Sequence, residues 1–88
     1  MKQTDFMWKC KTAGMNVTQS DNAVVRVDLN EDVYVEHISA GTNSAISLYI
    51  KPDLEYAVSD TMFEGVIAAY QNGGNTVEAY KQLMSTEK

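Results

Sequence analysis

The chain has one cysteine, one proline and one tryptophan in 88 residues, and a single histidine. A lone Cys10 excludes an internal disulfide and any zinc site built from several thiolates. A lone His37 makes every charge-relay arrangement depend on one side chain. Long apolar runs are missing as well. Val66-Ile67-Ala68-Ala69-Tyr70 falls far short of the ~20 residues that cross a bilayer. The segment Met1–Lys9 has no apolar stretch of the kind a secretory leader needs, which together with the solitary thiol points to the cytoplasm. Spaced glycines are scarce too. Ala40-Gly41-Thr42-Asn43-Ser44-Ala45 has neither the glycine spacing nor the lysine of a phosphate cradle, and Gly73-Gly74 follows a helix pattern instead of opening one.

Bases are outnumbered, 7 Lys and Arg against 12 Asp and Glu, for a net charge of −5. The imbalance is local. Asp28, Glu31, Asp32, Glu36, Asp53, Glu55, Asp60 and Glu64 face the single base Lys51 between residues 28 and 64, a local charge of −7. Such a field repels nucleic acid and anionic lipid and selects partners that are basic. Lys9 and Lys11 beside Trp8 cannot outweigh it, so no direct nucleic-acid binding and no membrane binding are expected. With 44% apolar and 22% charged residues, the chain should fold as a single domain over 1–88.

Period-2 alternation fills the first two-thirds and helical spacing the last third. Phe6, Trp8 and Cys10 read as one face of a first strand, broken at Ala13-Gly14, and Met15–Gln19 as a second. Ser20-Asp21-Asn22 offers turn chemistry. Val25, Val27 and Leu29 alternate with Val24, Arg26 and Asp28, and Asn30-Glu31-Asp32 turns into Val33–Ile38. Gly41-Thr42-Asn43-Ser44 reads as a loop before Ile46, Leu48 and Ile50, and Lys51-Pro52-Asp53 as a turn before Leu54, Tyr56 and Val58. Ser59 is a candidate N-cap, with Thr61 and Glu64 as an alternative capping box. Phe63, Val66, Ile67 and Tyr70 form one helical stripe, and Gly65 marks close packing on the sheet. Asn72-Gly73-Gly74 stops that helix, Asn75 and Glu78 suggest a second capping box, and Val77, Tyr80, Leu83 and Met84 make a second stripe. The expected fold is α+β: an antiparallel meander of five to six short strands followed by a C-terminal two-helix hairpin on one face.

Catalytic chemistry finds little support. Cys10 beside Phe6 and Trp8 reads as a buried, inert thiol, and a histidine on a strand is ordinarily a packed residue. Asp28-x-Asn30-x-Asp32 resembles the start of a calcium loop, but the sixth and twelfth positions hold Val33 and Ser39 where Gly and Glu are required. No metal, cofactor or catalytic group is expected. Surface recognition is better supported. Tyr34 shares a face with Glu36, and Tyr49 lies opposite Ile46, Leu48 and Ile50, so both rings should point outward beside carboxylates.

From Ile46 to Asn75 the chain resembles a family of small acidic anti-CRISPR inhibitors of the type II CRISPR nuclease. The resemblance lies in an Ile-rich strand ending Ile50-Lys51, a short turn, and Glu55-Tyr56-x-Val58-Ser59. A helix ending Val66-Ile67-Ala68-Ala69-Tyr70-Gln71-Asn72-Gly73 and a final helix follow. Members of that family begin with a helix, whereas residues 1–12 here alternate like a strand. The resemblance implies carboxylates that occupy a DNA-binding channel, with Asp53, Glu55, Asp60 and Glu64 as the counterparts in this sequence.

The expected function is therefore that of a small cytoplasmic binding protein of phage or mobile-element type. It would inhibit or sequester a larger protein through a basic, nucleic-acid-binding groove. Asp28, Glu31, Asp32 and Glu36 would form one contact cluster and Asp53, Glu55, Asp60 and Glu64 another, with Tyr34 and Tyr49 as anchors. The alternative is a structural or assembly protein that acts through self-association, as a homodimer, with no inhibitory activity.

Overall fold

The computed structural model describes residues 1–19 and 21–85; Ser20 of the expected Ser20-Asp21-Asn22 turn and the charged Glu87 and Lys88 lie outside them. The elements run α1 (Gln3–Thr12), β1 (Asn16–Gln19), β2 (Val24–Asp28), β3 (Val33–Ala40), β4 (Asn43–Ile50), β5 (Leu54–Val58), α2 (Asp60–Gln71) and α3 (Val77–Ser85). The strands form one antiparallel sheet in chain order, β1 to β5. The two C-terminal helices stand as the spacing implies, and the fold is α+β.

The opening element is a helix, not the strand that alternation suggests. Phe6 and Cys10 are fully buried, while Trp8, which a strand would place beside them, is 66% exposed. Phe6 and Cys10 stand four apart, a spacing that serves one face of a helix as well as one face of a strand. The segment has long unbranched side chains and only Thr as a β-branched residue, which favours helix. Asp5 in its first turn and Lys9 and Lys11 in its last complement the helix dipole. Gly14, at φ +83°, reverses the chain in a conformation L side chains resist, and the Met15 N–H returns to the Cys10 carbonyl at 2.9 Å.

Alternation in β2–β5 sends Val25, Val27, Val33, Val35, Ile46, Leu48, Ile50 and Val58 into the core under the helices, together with Phe63, Val66, Tyr80 and Met84. Asp21 and Asn30 make the turns. Asp21 Oδ1 accepts from the N–H groups of Ala23 and Val24, and Asn30 Oδ1 from those of Asp32 and Val33. The β3–β4 connection is tighter than the expected loop, since β4 already begins at Asn43.

Ser59 caps α2, its Oγ accepting from Met62 N–H at 3.0 Å, and Gly73 at φ +82° ends that helix as expected. Two local expectations are corrected. A Cβ on Gly65 would meet Leu83 Cδ1 at 3.3 Å, so its small size serves the α2–α3 contact and not the sheet. Thr76, not Asn75, caps α3: Thr76 Oγ1 accepts from Ala79 N–H, because the Asn75 side chain is engaged with the Leu29 carbonyl.

Candidate interaction surface

Alternation that buries one side of the sheet leaves the other open. No element among the described residues covers Arg26, Asp28, Tyr34, Glu36, Ser47 or Tyr49, all half-exposed. Register places them in rows across the strands. Asp28 pairs with Tyr34, Tyr34 with Tyr49 and Tyr49 with Glu55; alongside, Arg26 pairs with Glu36, Glu36 with Ser47 and Ser47 with Ala57.

The centre of this face is aromatic. The Tyr34 and Tyr49 rings stack at 4.8 Å with 15° between their planes, which is the spacing of adjacent strands. Arg26 Cζ lies 3.9 Å from the Tyr34 ring centroid while its Nε donates to Asp28 Oδ1 at 3.0 Å. The guanidinium is thus held by a ring and a carboxylate together. Partial burial raises the Tyr49 phenol above its usual pKa, and Glu55 and Glu36 raise it further.

The β2–β3 and β4–β5 turns lie at the same end of the sheet, tied by Lys51 N–H donating to the Asp32 carbonyl at 2.8 Å. Glu31, Asp32 and Asp53 therefore sit in turns at the end of the sheet next to Tyr34 and Tyr49, adding to Asp28, Glu36 and Glu55 on the open face. Set against Arg26 and Lys51, these six carboxylates leave a local charge of −4. A cleft of about 200 Å³ opens there, lined in part by Tyr34, Tyr49, Asp53 and Glu55.

Asp60 and Glu64 do not belong to this patch. They stand on α2 beside α1, where Asp60 pairs with the Met1 ammonium at 3.1 Å and Glu64 with Lys9 at 2.7 Å. The Glu64 contact raises the Lys9 pKa. The sequence offers eight acids in one segment; the fold separates them six to two, because α2 leaves the sheet on its helical side. Arg26 is the contributor that charge counting passes over. Its i, i+2 spacing to Asp28 on one strand face is the signal that marks it.

The two residues weighed for catalysis lie in the core. His37 is fully buried against the Phe6 ring (centroids 5.0 Å apart), with Nε2 2.7 Å from the Met1 carbonyl oxygen and Nδ1 without a partner among the described residues. Cys10 is fully buried, and desolvation pushes its thiol up to about 12. At neutral pH the thiol therefore stays protonated. A disulfide thiol reagent is expected to leave Cys10 untouched in the native protein and to modify it fully in denaturant; rapid labelling of the native protein would contradict the packing. Two of the three side chains of the calcium-like motif are also engaged: Asp28 holds Arg26, and Asn30 holds its own turn.

None of the helices is long and apolar enough to cross a membrane, among the described residues. Comparison with protein-family models, with curated proteins and with solved structures finds no match to this chain.

Proposed function

We propose that this chain is a binding protein, not an enzyme, and that its open sheet face docks on a basic surface of a larger protein. The carrying observation is the gathering of six carboxylates from two separate stretches on the face and adjoining turns that hold a half-exposed tyrosine pair. Carboxylates held on a rigid sheet stand in for phosphates and form charge-assisted hydrogen bonds with Arg and Lys, while the tyrosines provide area at small entropic cost. The partner that fits best is a host nucleic-acid-binding protein met in the cytoplasm, captured or inhibited in the manner of a phage-encoded antagonist. The partial resemblance to anti-CRISPR inhibitors supports this reading, and the chain, like members of that family, opens with a helix. Of the four counterparts the resemblance implies, Asp53 and Glu55 lie on the acidic face. Asp60 and Glu64 are paired on the opposite side, so the docking surface of this protein is its own.

Replacing Glu31 and Asp32 together by Lys is expected to lower partner retention on an affinity column at least tenfold while moving the melting temperature little, since both side chains are exposed and make no ion pair among the described residues. Retention should also fall steeply with salt. Undiminished capture by the double variant would overturn the proposal. Assembly through self-association is the competing reading, favoured by the outer edge of β5, which no strand pairs among the described residues. Sedimentation separates them: docking requires a monomer at working concentration, and assembly requires a dimer that survives salt.

A further inference from the structure

The central row of the open face reads carboxylate, tyrosine, tyrosine, carboxylate: Asp28, Tyr34, Tyr49, Glu55. Its two halves have the same chemistry but not the same occupancy. On the β2 side, Arg26 fills the angle between Asp28 and Tyr34, bonded to the carboxylate at 3.0 Å and lying 3.9 Å from the ring centroid. Tyr34 is thereby sandwiched between a guanidinium and the Tyr49 ring. Tyr49 has an aromatic neighbour on its Tyr34 side, and no cation lies over it among the described residues.

The neighbouring row explains the difference. It runs Arg26, Glu36, Ser47, Ala57, so the position that mirrors Arg26 across the sheet is Ala57. Ala57 is exposed, and its methyl group is far shorter than the arginine side chain that occupies the same place on the other half. Glu36 and Glu55 both act on the Tyr49 phenol, which also has Ser47 and Glu55 within hydrogen-bonding influence.

We propose that the space above Ala57, bounded by Tyr49, Glu55, Glu36 and Ser47, is a slot for an arginine side chain contributed by the partner protein. The inference rests on the open face being the docking surface and adds which side chain it reads. Arg26 serves as the internal template: the same chain already holds a guanidinium between a tyrosine face and a carboxylate. Arginine fits better than lysine. Its planar group stacks on the ring and offers a fork of donors to Glu55 and Glu36 together, whereas an ammonium is a compact, strongly hydrated point charge. An apolar side chain would desolvate two carboxylates without pairing them, and a phosphate would meet their repulsion.

The test uses two end-labelled peptides of equal charge, hexa-arginine and hexa-lysine, titrated with the full-length protein at low ionic strength and read by fluorescence anisotropy. Hexa-arginine is expected to bind about tenfold more tightly than hexa-lysine. Glu55→Gln should bring the two affinities to within about twofold of each other, the scale of one lost charge-assisted contact. Ala57→Arg supplies the mirrored guanidinium from within the chain. It should keep the circular dichroism spectrum and the melting temperature while abolishing the arginine preference. Equal affinities for the two wild-type titrations, both lost in the Glu31→Lys, Asp32→Lys protein, would overturn the slot and leave the docking surface standing. Absence of binding to either peptide would overturn both. A preference that persists in Ala57→Arg would also overturn the slot.

Discussion

Phe6→Ala is expected to destabilise the domain by about 3–5 kcal/mol, the range for deleting a buried aromatic ring. Phe6 has no exposed surface and sits where α1, the sheet and α2 meet, its ring 4.9 Å from Phe63 and 5.0 Å from His37. No neighbour can collapse fully into the space, because the walls come from three separate elements. Domains of this size have roughly 4–13 kcal/mol in total, so the loss is a large fraction of the whole. The melting temperature should drop on the order of 20 °C in a calorimetric or circular dichroism scan. Trp8→Ala is the matching control. With its side chain two-thirds exposed, it should change stability by no more than about 0.5 kcal/mol. Equal penalties for the two variants would restore the strand reading of residues 1–12, in which both rings share a face.

The second large effect concerns Asn75. Its Nδ2 donates to the Leu29 carbonyl at 2.6 Å, and its Oδ1 accepts from the Tyr80 hydroxyl at 2.8 Å and from Asn30 Nδ2 at 3.3 Å. One side chain thus ties the start of α3 to the end of β2 and satisfies the hydroxyl of a fully buried tyrosine. Burial also raises the Tyr80 phenol pKa, so it remains a donor throughout the stable range of the fold. Asn75→Ala leaves the hydroxyl and the carbonyl without this partner. Each orphan costs about 1–3 kcal/mol, so the urea midpoint should move by a free-energy equivalent of about 3 kcal/mol. Tyr80→Phe alone should cost only about 1 kcal/mol. The double variant should be clearly less destabilised than the sum, since removing the hydroxyl removes the group that Asn75→Ala strands. Strict additivity would show that the two side chains are not coupled.

These two sites show what the residues disclose and what they conceal. The meander is legible because β2 to β4 obey a period of 2 with apolar, largely β-branched residues on the buried face, as in Val25, Val27, Val33 and Val35. The C-terminal helices are legible because Phe63 and Val66, then Tyr80 and Met84, fall at helical spacing and are punctuated by Ser59 and Gly73. α1 is not, since Phe6 and Cys10 satisfy both periods and the deciding fact, the exposure of Trp8, depends on tertiary packing. Asn75 misleads for a similar reason. Its identity suits a cap, but a long-range carbonyl competes for its side chain and Thr76 takes the local role. On the candidate site, the outward direction of Tyr34 and Tyr49 follows from alternation alone. The departure of Asp60 and Glu64 from the other acids does not, because it depends on which way α2 leaves the sheet.

Because every strand pairs with its neighbour in the chain, the sheet closes only short loops as it forms, and each hairpin can assemble without waiting for distant sequence. The covering layer is different. Phe6 meets Phe63, and Leu29 meets Asn75, only after the helices that follow the sheet have been made. On the ribosome α1 is at hand to cover part of the meander's apolar side as the strands form, and the remainder stays wet until α2 and α3 emerge.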